Sequence, residues 1–270
     1  MIKASLIISF YNNLFNLKLI LAALEIQSEK DFEVIIADDG SKKEIVKEIT
    51  QLVNQSPLVI KHVWHEDNGW WKNRILNQAV SVSESENLIF IDGDCIPHHH
   101  FINDHLSELT QHFIIGGRRC NLSEHFSNNL SEAQIKNGQL TRFFSFWKAN
   151  RRMRHFEKSI RLPWKWIRPF LDKQDKGLLG CNFSVKKARI LQVNGFDERY
   201  KSPGVGEDTD LEVRLHQIGM STKTIPFKAI QYHLYHERLS RVGENENLKL
   251  LKENTQLSNG WTPFGISQDS

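Results

Sequence analysis

NLIFIDGD, residues 87–94, is a short apolar run that stops in two carboxylates, Asp92 and Asp94, set one residue apart. A run of this length bounded by polar residues reads as a buried strand. A strand ending this way delivers two acidic side chains to one edge of a sheet. Three earlier runs are built alike: SLIISF (5–10), FEVIIADD (32–39) and LVIKHVWH (58–65). Amphipathic stretches lie between them, at Leu14 to Ile26, Lys43 to Asn54 and Lys72 to Val82. Strand, helix, strand repeated three times predicts an α/β fold with a parallel sheet and crossover helices. FEVIIADD also ends in acids, Asp38 and Asp39, and the carboxyl ends of strands are where open α/β sheets bind ligands.

Composition bounds the class. The 270 residues suit one large α/β domain or two small ones, with 40% hydrophobic and 25% charged residues and a mean hydropathy of -0.44. A net charge of +3 is too small to indicate nucleic acid. Three cysteines (Cys95, Cys120, Cys181) with no CxxC spacing predict reduced thiols in a cytosolic protein rather than a disulfide framework or a zinc site. No segment approaches the ~20 apolar residues of a membrane span. SLIISF is broken at once by Tyr11, Asn12 and Asn13, so no signal peptide is expected.

The second half alternates less regularly. FIIGGRR (113–119) reads as a strand, LLGCNFSV (178–185) as another, and KKARILQV (186–193) as a helix. A helix over 209–218 and a strand over 222–236 ending in YHLYH follow, then a polar tail with a helix and a loose end. RFFSFWKANRRMRHFEKSIRLPWKWIRPF (142–170) interrupts the pattern with nine Lys/Arg, one acid and eight aromatics.

Four acidic or imidazole clusters carry chemistry. Asp92 and Asp94 can turn toward one hard cation such as Mg²⁺ or Mn²⁺, although Asp-Gly is also good turn chemistry. In DDGS (38–41) the acids could bond a nucleobase or ribose, while Ser41 could cap the helix from Lys42 onward. His233 and His236 flank Leu234-Tyr235 at a strand end and suit a Mn²⁺-class metal. GVGEDTDLEVRLHQIG (204–219) crowds Glu207, Asp208 and Asp210 before a helix, where a helix N-terminus, a metal or a proton to be removed would draw on them. Asp210 is expected to cap the helix or face solvent. His98-His99-His100 is expected to open the helix after Pro97 as a solvated surface.

Together these stretches resemble the family 2 glycosyltransferases, inverting enzymes of the GT-A fold, with a galactosyltransferase-like C-terminal module. HEDNGWWKNRILNQAV (65–80) is similar to the family's ED-x-G-F-R segment and Asn-x-Ala helix, FIDGDCIPHHHFINDHL to its DxD strand and following helix, and GCNFSVKKARILQVNGFDERYKSPGVGEDTDLEVRL to its acceptor block and ED motif. The resemblance implies a Rossmann-like, mostly parallel sheet flanked by helices: a nucleotide-sugar half (1–112), an acceptor and catalytic half (113–243) with a basic aromatic helical insert (138–176), and a tail (244–270). It implies that Asp38 and Asp39 bind uracil and ribose, and that Asp92 and Asp94 hold a metal on the diphosphate with Asp94 the direct ligand. His233 or His236 would complete that site. Asp208 would be the catalytic base and Glu207 an acceptor-binding partner. Phe10, Tyr11, Lys72, Asn77 and Gly93 join the donor-contacting set. Lys72 stands where relatives often have Arg, and Trp70-Trp71 replaces a Gly-Phe context.

The implied reaction moves a hexose or N-acetylhexosamine from a UDP-sugar, with Mn²⁺ or Mg²⁺, to a saccharide or lipid-linked acceptor in bacterial surface glycan synthesis. A non-catalytic carbohydrate- or membrane-binding relative and a sugar-nucleotide nucleotidyltransferase are the alternatives; SFYNN offers no phosphate loop for the latter. The basic aromatic insert suggests a cytoplasmic protein peripheral on anionic lipid at the inner face of the plasma membrane, where Trp and Phe enter the interface; a lid over the acceptor cleft is the competing reading.

Overall fold

Strand alternation divides the core in two. In β1 (Ala4–Phe10) Leu6, Ile8 and Phe10 face one apolar layer and Ile7 the other, all of them buried. The structure, a computed structural model, describes residues 1–141, 156–162, 177–204, 207–237, 243–256 and 259–267. α1 (Leu14–Glu25) is started by Asn13, whose side chain accepts from the Asn16 N–H, and is apolar nearly all round because it is covered nearly all round. β2 (Phe32–Asp38), α2 (Lys43–Gln55), β3 (Val59–Trp64), α3 (Lys72–Val82) and β4 (Asn87–Asp92) follow where the sequence predicts them. The chain continues through β5 (Cys95–Pro97), α4 (Phe101–Leu106), β6 (Phe113–Gly116), β7 (Arg118–Asn121), α5 (Glu124–Asn128), α6 (Glu132–Lys136) and a 3₁₀ turn at Phe156–Ser159. It then forms β8 (Asn182–Lys186), α7 (Lys187–Gln192), α8 (Glu207–Gln217), β9 (Ser221–Thr224), β10 (Ile230–His233) and α9 (Glu244–Thr255).

Seven strands make the main sheet in the order β3-β2-β1-β4-β8-β6-β9, with β8 antiparallel to both neighbours and the other pairings parallel. A small sheet, β5-β10-β7, stands beside it. Ile75, Leu76, Ala79 and Val80 of α3 share one apolar layer with Leu211 and Leu215 of α8, while α1 fills the other.

Several expectations change. Residues 113–119 are two strands, because the chain turns at Gly117, where an added Cβ would lie 2.3 Å from the Asn182 side chain. Residues 222–236 split likewise, with Phe227 and Ala229 at φ 63° and 44° between β9 and β10. Of the expected 178–185 strand only 182–185 pairs, the strand running on to Lys186, and a turn at Gly180 precedes it. His98 is not solvated: it is 8% exposed, and burial pushes its pKa down to about 3. α4 starts three residues later, at Phe101.

Asp210 neither caps nor meets solvent. It is fully buried, accepts from Arg214 Nε at 2.8 Å and from Asn254 Nδ2 at 2.6 Å, and takes the Tyr200 hydroxyl at 3.1 Å. Arg214, equally buried, also donates to the Val193 and Gly195 carbonyls at 2.9 Å. Each carries the other's desolvation, so removing one would strand a buried charge. Asn254 continues the network to Asp197, and Asn194 pins Thr262 and Ser267. The described part of the tail is therefore held onto α8 rather than loose. Of the basic aromatic insert, Arg161 is committed inward by a bidentate bond to buried Asp104 at 2.8 and 2.6 Å. Arg151, Arg152, Arg154, Trp164, Lys165, Trp166 and Arg168 lie outside the described residues.

Candidate active site

After β3 the chain returns to β4 on the far side of β1, so strand order reverses between β1 and β4 and opens a crevice at their carboxyl ends. Ser9 is in register with Asp92, which sets the acidic end of β4 at that crevice. Gly93 packs so tightly that an added Cβ would meet the Ser9 carbonyl oxygen at 2.8 Å. Phe10 packs against the same position, its ring Cδ2 3.6 Å from that Cβ, and is 2% exposed as part of the core. Lys72 Nζ bonds Asp92 Oδ1 at 2.9 Å. Ser9, Lys72, Asp92, Gly180 and Asp208 line one narrow crevice, so the acids of β4 and α8 share a space although 116 positions separate Asp92 from Asp208.

Asp208 is oriented from two sides. Its Oδ2 accepts from the Gly180 N–H and its Oδ1 from the Thr209 N–H, both at 2.8 Å. An added Cβ at Gly180 would lie 3.0 Å from the Asp208 Oδ2. Asp210 turns into the core, so of these two acids only Asp208 lines the crevice. Glu207 begins α8, but its side chain, with Val205 and Gly206, lies outside the described residues.

At the other end Asp94 meets both histidines. Its Oδ2 is 3.4 Å from His233 Nε2 and 3.1 Å from His236 Nε2, and the two nitrogens are 3.3 Å apart. β10 makes this possible by pairing with β5, His233 opposite Cys95, while the Leu234 N–H donates to the Asp94 carbonyl at 2.8 Å. Burial would raise the Asp94 carboxyl, but the bonds from His233 and His236 outweigh it and hold the group far below the carboxylate range. The His236 imidazole is raised in turn, chiefly by Asp94. Ligands about 2.1 Å from one cation lie about 3.0–3.4 Å from each other. The Asp94–His233–His236 triangle has those edges, so the residues fit a divalent metal. His236 Nδ1 faces the Glu237 carbonyl at 2.6 Å, the backbone partner that leaves Nε2 for a ligand bond. Cys95 Sγ belongs to the same cluster, but burial pushes its thiol well up and keeps the proton on it.

The two acids that close β2 differ. Asp38 is fully buried and spent internally, accepting from the Ser41 N–H at 2.9 Å and facing His62 Nε2 at 3.0 Å. Asp39 accepts from the Trp71 N–H at 3.1 Å, while its Oδ1 lies 3.2 Å from His65 Nε2 without hydrogen-bond geometry. Ser41 does not cap α2; its hydroxyl accepts from the Asn12 N–H at 2.8 Å, and Lys42 stands at the N-cap with no side-chain bond. Gly40, at φ +89°, lets this turn approach Asp67, whose carboxylate takes the exposed Tyr11 hydroxyl at 3.1 Å. Trp71 stacks the Lys201 ammonium 3.5 Å from its ring centre. Asn77 is not at the cleft: it is 3% exposed, donating to the Phe196 carbonyl at 2.9 Å and accepting from the Phe196 N–H at 2.8 Å. It is a clamp between α3 and the loop before α8.

Burial pushes the Asp39 carboxyl up to about 6, against an ordinary value near 3.9. The folded state then binds this proton more tightly than the unfolded chain. The associated stability is complete below about pH 4 and is lost as pH rises through about 6. Asp39→Asn removes the dependence. Between pH 4 and 7 the wild-type Tm should fall several degrees relative to the variant, since two pKa units are about 2–3 kcal/mol. Parallel melting curves across that range would refute it.

Gly180, Arg119, Asn121 and Gln231 escape sequence reasoning. The only signal was the Arg118-Arg119 pair closing FIIGGRR.

A family model described as glycosyl transferase family 2 matches residues 5–174, and one described as N-terminal domain of galactosyltransferase matches residues 170–237. Hyaluronan synthase of Pasteurella multocida is 26% identical over 269 residues, covering 92% of this chain and 27% of its own length. The chain thus spans about a quarter of that relative. A mannosyltransferase from Pyrobaculum calidifontis, solved with GDP-Man and Mn²⁺, superposes with a TM-score of 0.58 at 15% identity over 91% of this chain and 61% of the other. GalNAc-T7, solved with UDP, GalNAc and Mn²⁺, gives 0.64 at 13% identity over 87% and 44%. At such identities the likeness shows the fold, a GT-A glycosyltransferase sheet.

Proposed function

The chain belongs to glycosyl transferase family 2, and from that premise we propose that it moves a hexose or N-acetylhexosamine from a UDP-sugar to a saccharide acceptor, with inversion, in bacterial surface glycan synthesis. The observation that carries the reading is the cleft itself, where Asp92 with Lys72 stands across from Asp208. A single displacement needs a base at the acceptor hydroxyl and charge stabilisation at the leaving group, from opposite sides of the anomeric carbon.

Asp208 would take the acceptor proton as the hydroxyl oxygen bonds to the anomeric carbon. The bond from that carbon to the diphosphate oxygen breaks, and the nucleotide leaves with the electron pair. Asp94, His233 and His236 would hold Mn²⁺ or Mg²⁺, which when bound offsets the charge growing on the diphosphate. Lys72 keeps Asp92 in place and adds positive charge on the same side. Asp39, more than Asp38, has a carboxylate oxygen to offer the ribose or base. The complexes of the two structural neighbours, one with UDP and one with GDP-Man, both with Mn²⁺, support a nucleotide sugar and a divalent ion.

No helix of the described residues is long and apolar enough to cross a membrane. Peripheral attachment to anionic lipid and a lipid-linked acceptor rest on the sequence of residues 142–170, from which Arg161 is withdrawn by its bond to Asp104.

A donor panel tests the reading: UDP-Gal, UDP-GalNAc, UDP-Glc, UDP-GlcNAc and GDP-mannose, each with Mn²⁺ and hyaluronan or chondroitin oligosaccharides as first acceptors. One UDP-sugar should give product of inverted anomeric configuration and release UDP. Retention, or turnover of GDP-mannose alone, would contradict it.

A further inference from the structure

The small sheet has two unlike faces. β10 pairs in parallel with β7, setting Arg119 level with Gln231 and Asn121 level with His233, and on its other side His233 lies opposite Cys95. Alternate residues share a face. Ile96, Cys120 and Tyr232 therefore enter the apolar core, and Cys95, Arg119, Asn121, Gln231 and His233 occupy the opposite side.

That second side is polar and short of partners, buried at Cys95 and Gln231 and partly exposed at Arg119, Asn121 and His233. Gln231 is fully buried, yet among the described residues neither its Nε2 nor its Oε1 has a hydrogen-bond partner; the Oδ1 of Asn121 is also unpaired. Among the described residues Arg119 has one polar contact there, Nη1 to the Cys181 sulfur at 3.6 Å, and sulfur is a weak acceptor. Gln231, level with it, is two residues from His233 on the same face. Cys181 follows Gly180, whose N–H holds Asp208. Arg119 thus stands between the metal-binding end and the base end. Unpartnered buried polar groups are costly and collect where a ligand completes them.

We propose that Arg119, with Gln231 and Asn121, is the subsite for an anionic oxygen group of the substrate. The fork of a guanidinium presents parallel N–H donors to two oxygens of one phosphate or carboxylate, and a neighbouring carboxamide adds another donor. Two groups share this chemistry, a phosphate of the nucleotide and a carboxylate on an acidic sugar. The inference rests on the nucleotide-sugar reading above and adds a residue that fixes which substrate enters.

The experiment compares wild type, Arg119→Gln and Arg119→Lys by calorimetry with Mn²⁺ present, using uridine, UMP, UDP, UDP-glucose and UDP-glucuronate. If a phosphate is held, Arg119→Gln weakens UDP about tenfold or more, leaves uridine unchanged, and is only partly restored by Lys, which lacks the fork. If a carboxylate is held, UDP is unchanged and the preference for UDP-glucuronate over UDP-glucose is lost. Unchanged affinity for every probe overturns the proposal. Gln231→Leu guards against misfolding, because removing an unpaired buried amide should leave the Tm equal or higher while the same probe weakens; Leu with undiminished binding also overturns it. Wild type that binds no nucleotide would instead sink the nucleotide-sugar reading itself.

Discussion

Asp208→Asn is expected to lower kcat about 10²–10⁴-fold, the usual loss of a general base, with UDP affinity near that of wild type. The side chain keeps its shape but can no longer take the acceptor proton. The split between kcat and affinity follows from position: Asp208 lies on α8 and is held by Gly180 and Thr209, whereas the Asp94–histidine triangle is built from β10 and the chain after β4. Gly180 and Thr209 both donate backbone N–H groups to this carboxylate, so an asparagine satisfies only one of them with its oxygen. The other donor would oppose the new NH₂, and a small Tm loss should accompany the variant. That loss cannot imitate the kinetic effect, because kcat is measured on folded enzyme well below the transition. Single-turnover rates with the preferred UDP-sugar check it. Normal turnover in Asp208→Asn combined with loss in Glu207→Gln would reverse the two roles.

What the sequence disclosed depended on whether a feature was local. β1 to β4 were legible because apolar runs and crossover helices have fixed periods, and the same periods put Asp92, Asp94 and Asp39 at strand ends. Asp94 and the two histidines were legible as types and brought together by the pairing of β10 with β5. Strand splitting at Gly117 and at Phe227–Ala229 was not, since each break is imposed by a distant partner, Asn182 in one case and the Asp104 carboxylate bonding the Ala229 N–H in the other. Asp210 shows the same limit. In sequence it is a third acid in a polar motif; only Arg214, Tyr200 and Asn254 converging on it make it a core residue. Asn77 matched a motif position while its hydrogen bonds went to Phe196, 119 positions away. Arg119 and Gln231 carry no motif, and their shared face exists only after β7 and β10 pair.

Asp94→Ala should abolish sugar transfer and the Mn²⁺-dependent part of UDP affinity while leaving the fold intact. Among the described residues Asp94 is the one carboxylate that both imidazoles face, so its loss removes a whole corner of the ligand triangle. It also leaves two ring nitrogens 3.3 Å apart without the Asp94 carboxylate they faced, and the His236 imidazole then loses the chief cause of its raised proton affinity. The backbone of this residue is held independently by the Leu234 N–H on the Asp94 carbonyl, which survives in alanine. Structure should therefore persist where metal binding does not. Proton competition gives a second readout, because imidazole must shed its proton to bind a metal. In wild type, Mn²⁺ affinity should fall as pH drops through the raised His236 value, higher than for an ordinary histidine, whereas Asp94→Ala should show little Mn²⁺ binding at any pH. Calorimetry of Mn²⁺ alone and of UDP with and without Mn²⁺ measures both. Wild type that transfers sugar at full rate in excess chelator, or Asp94→Ala that binds Mn²⁺ and UDP like wild type, would remove the metal from this cleft.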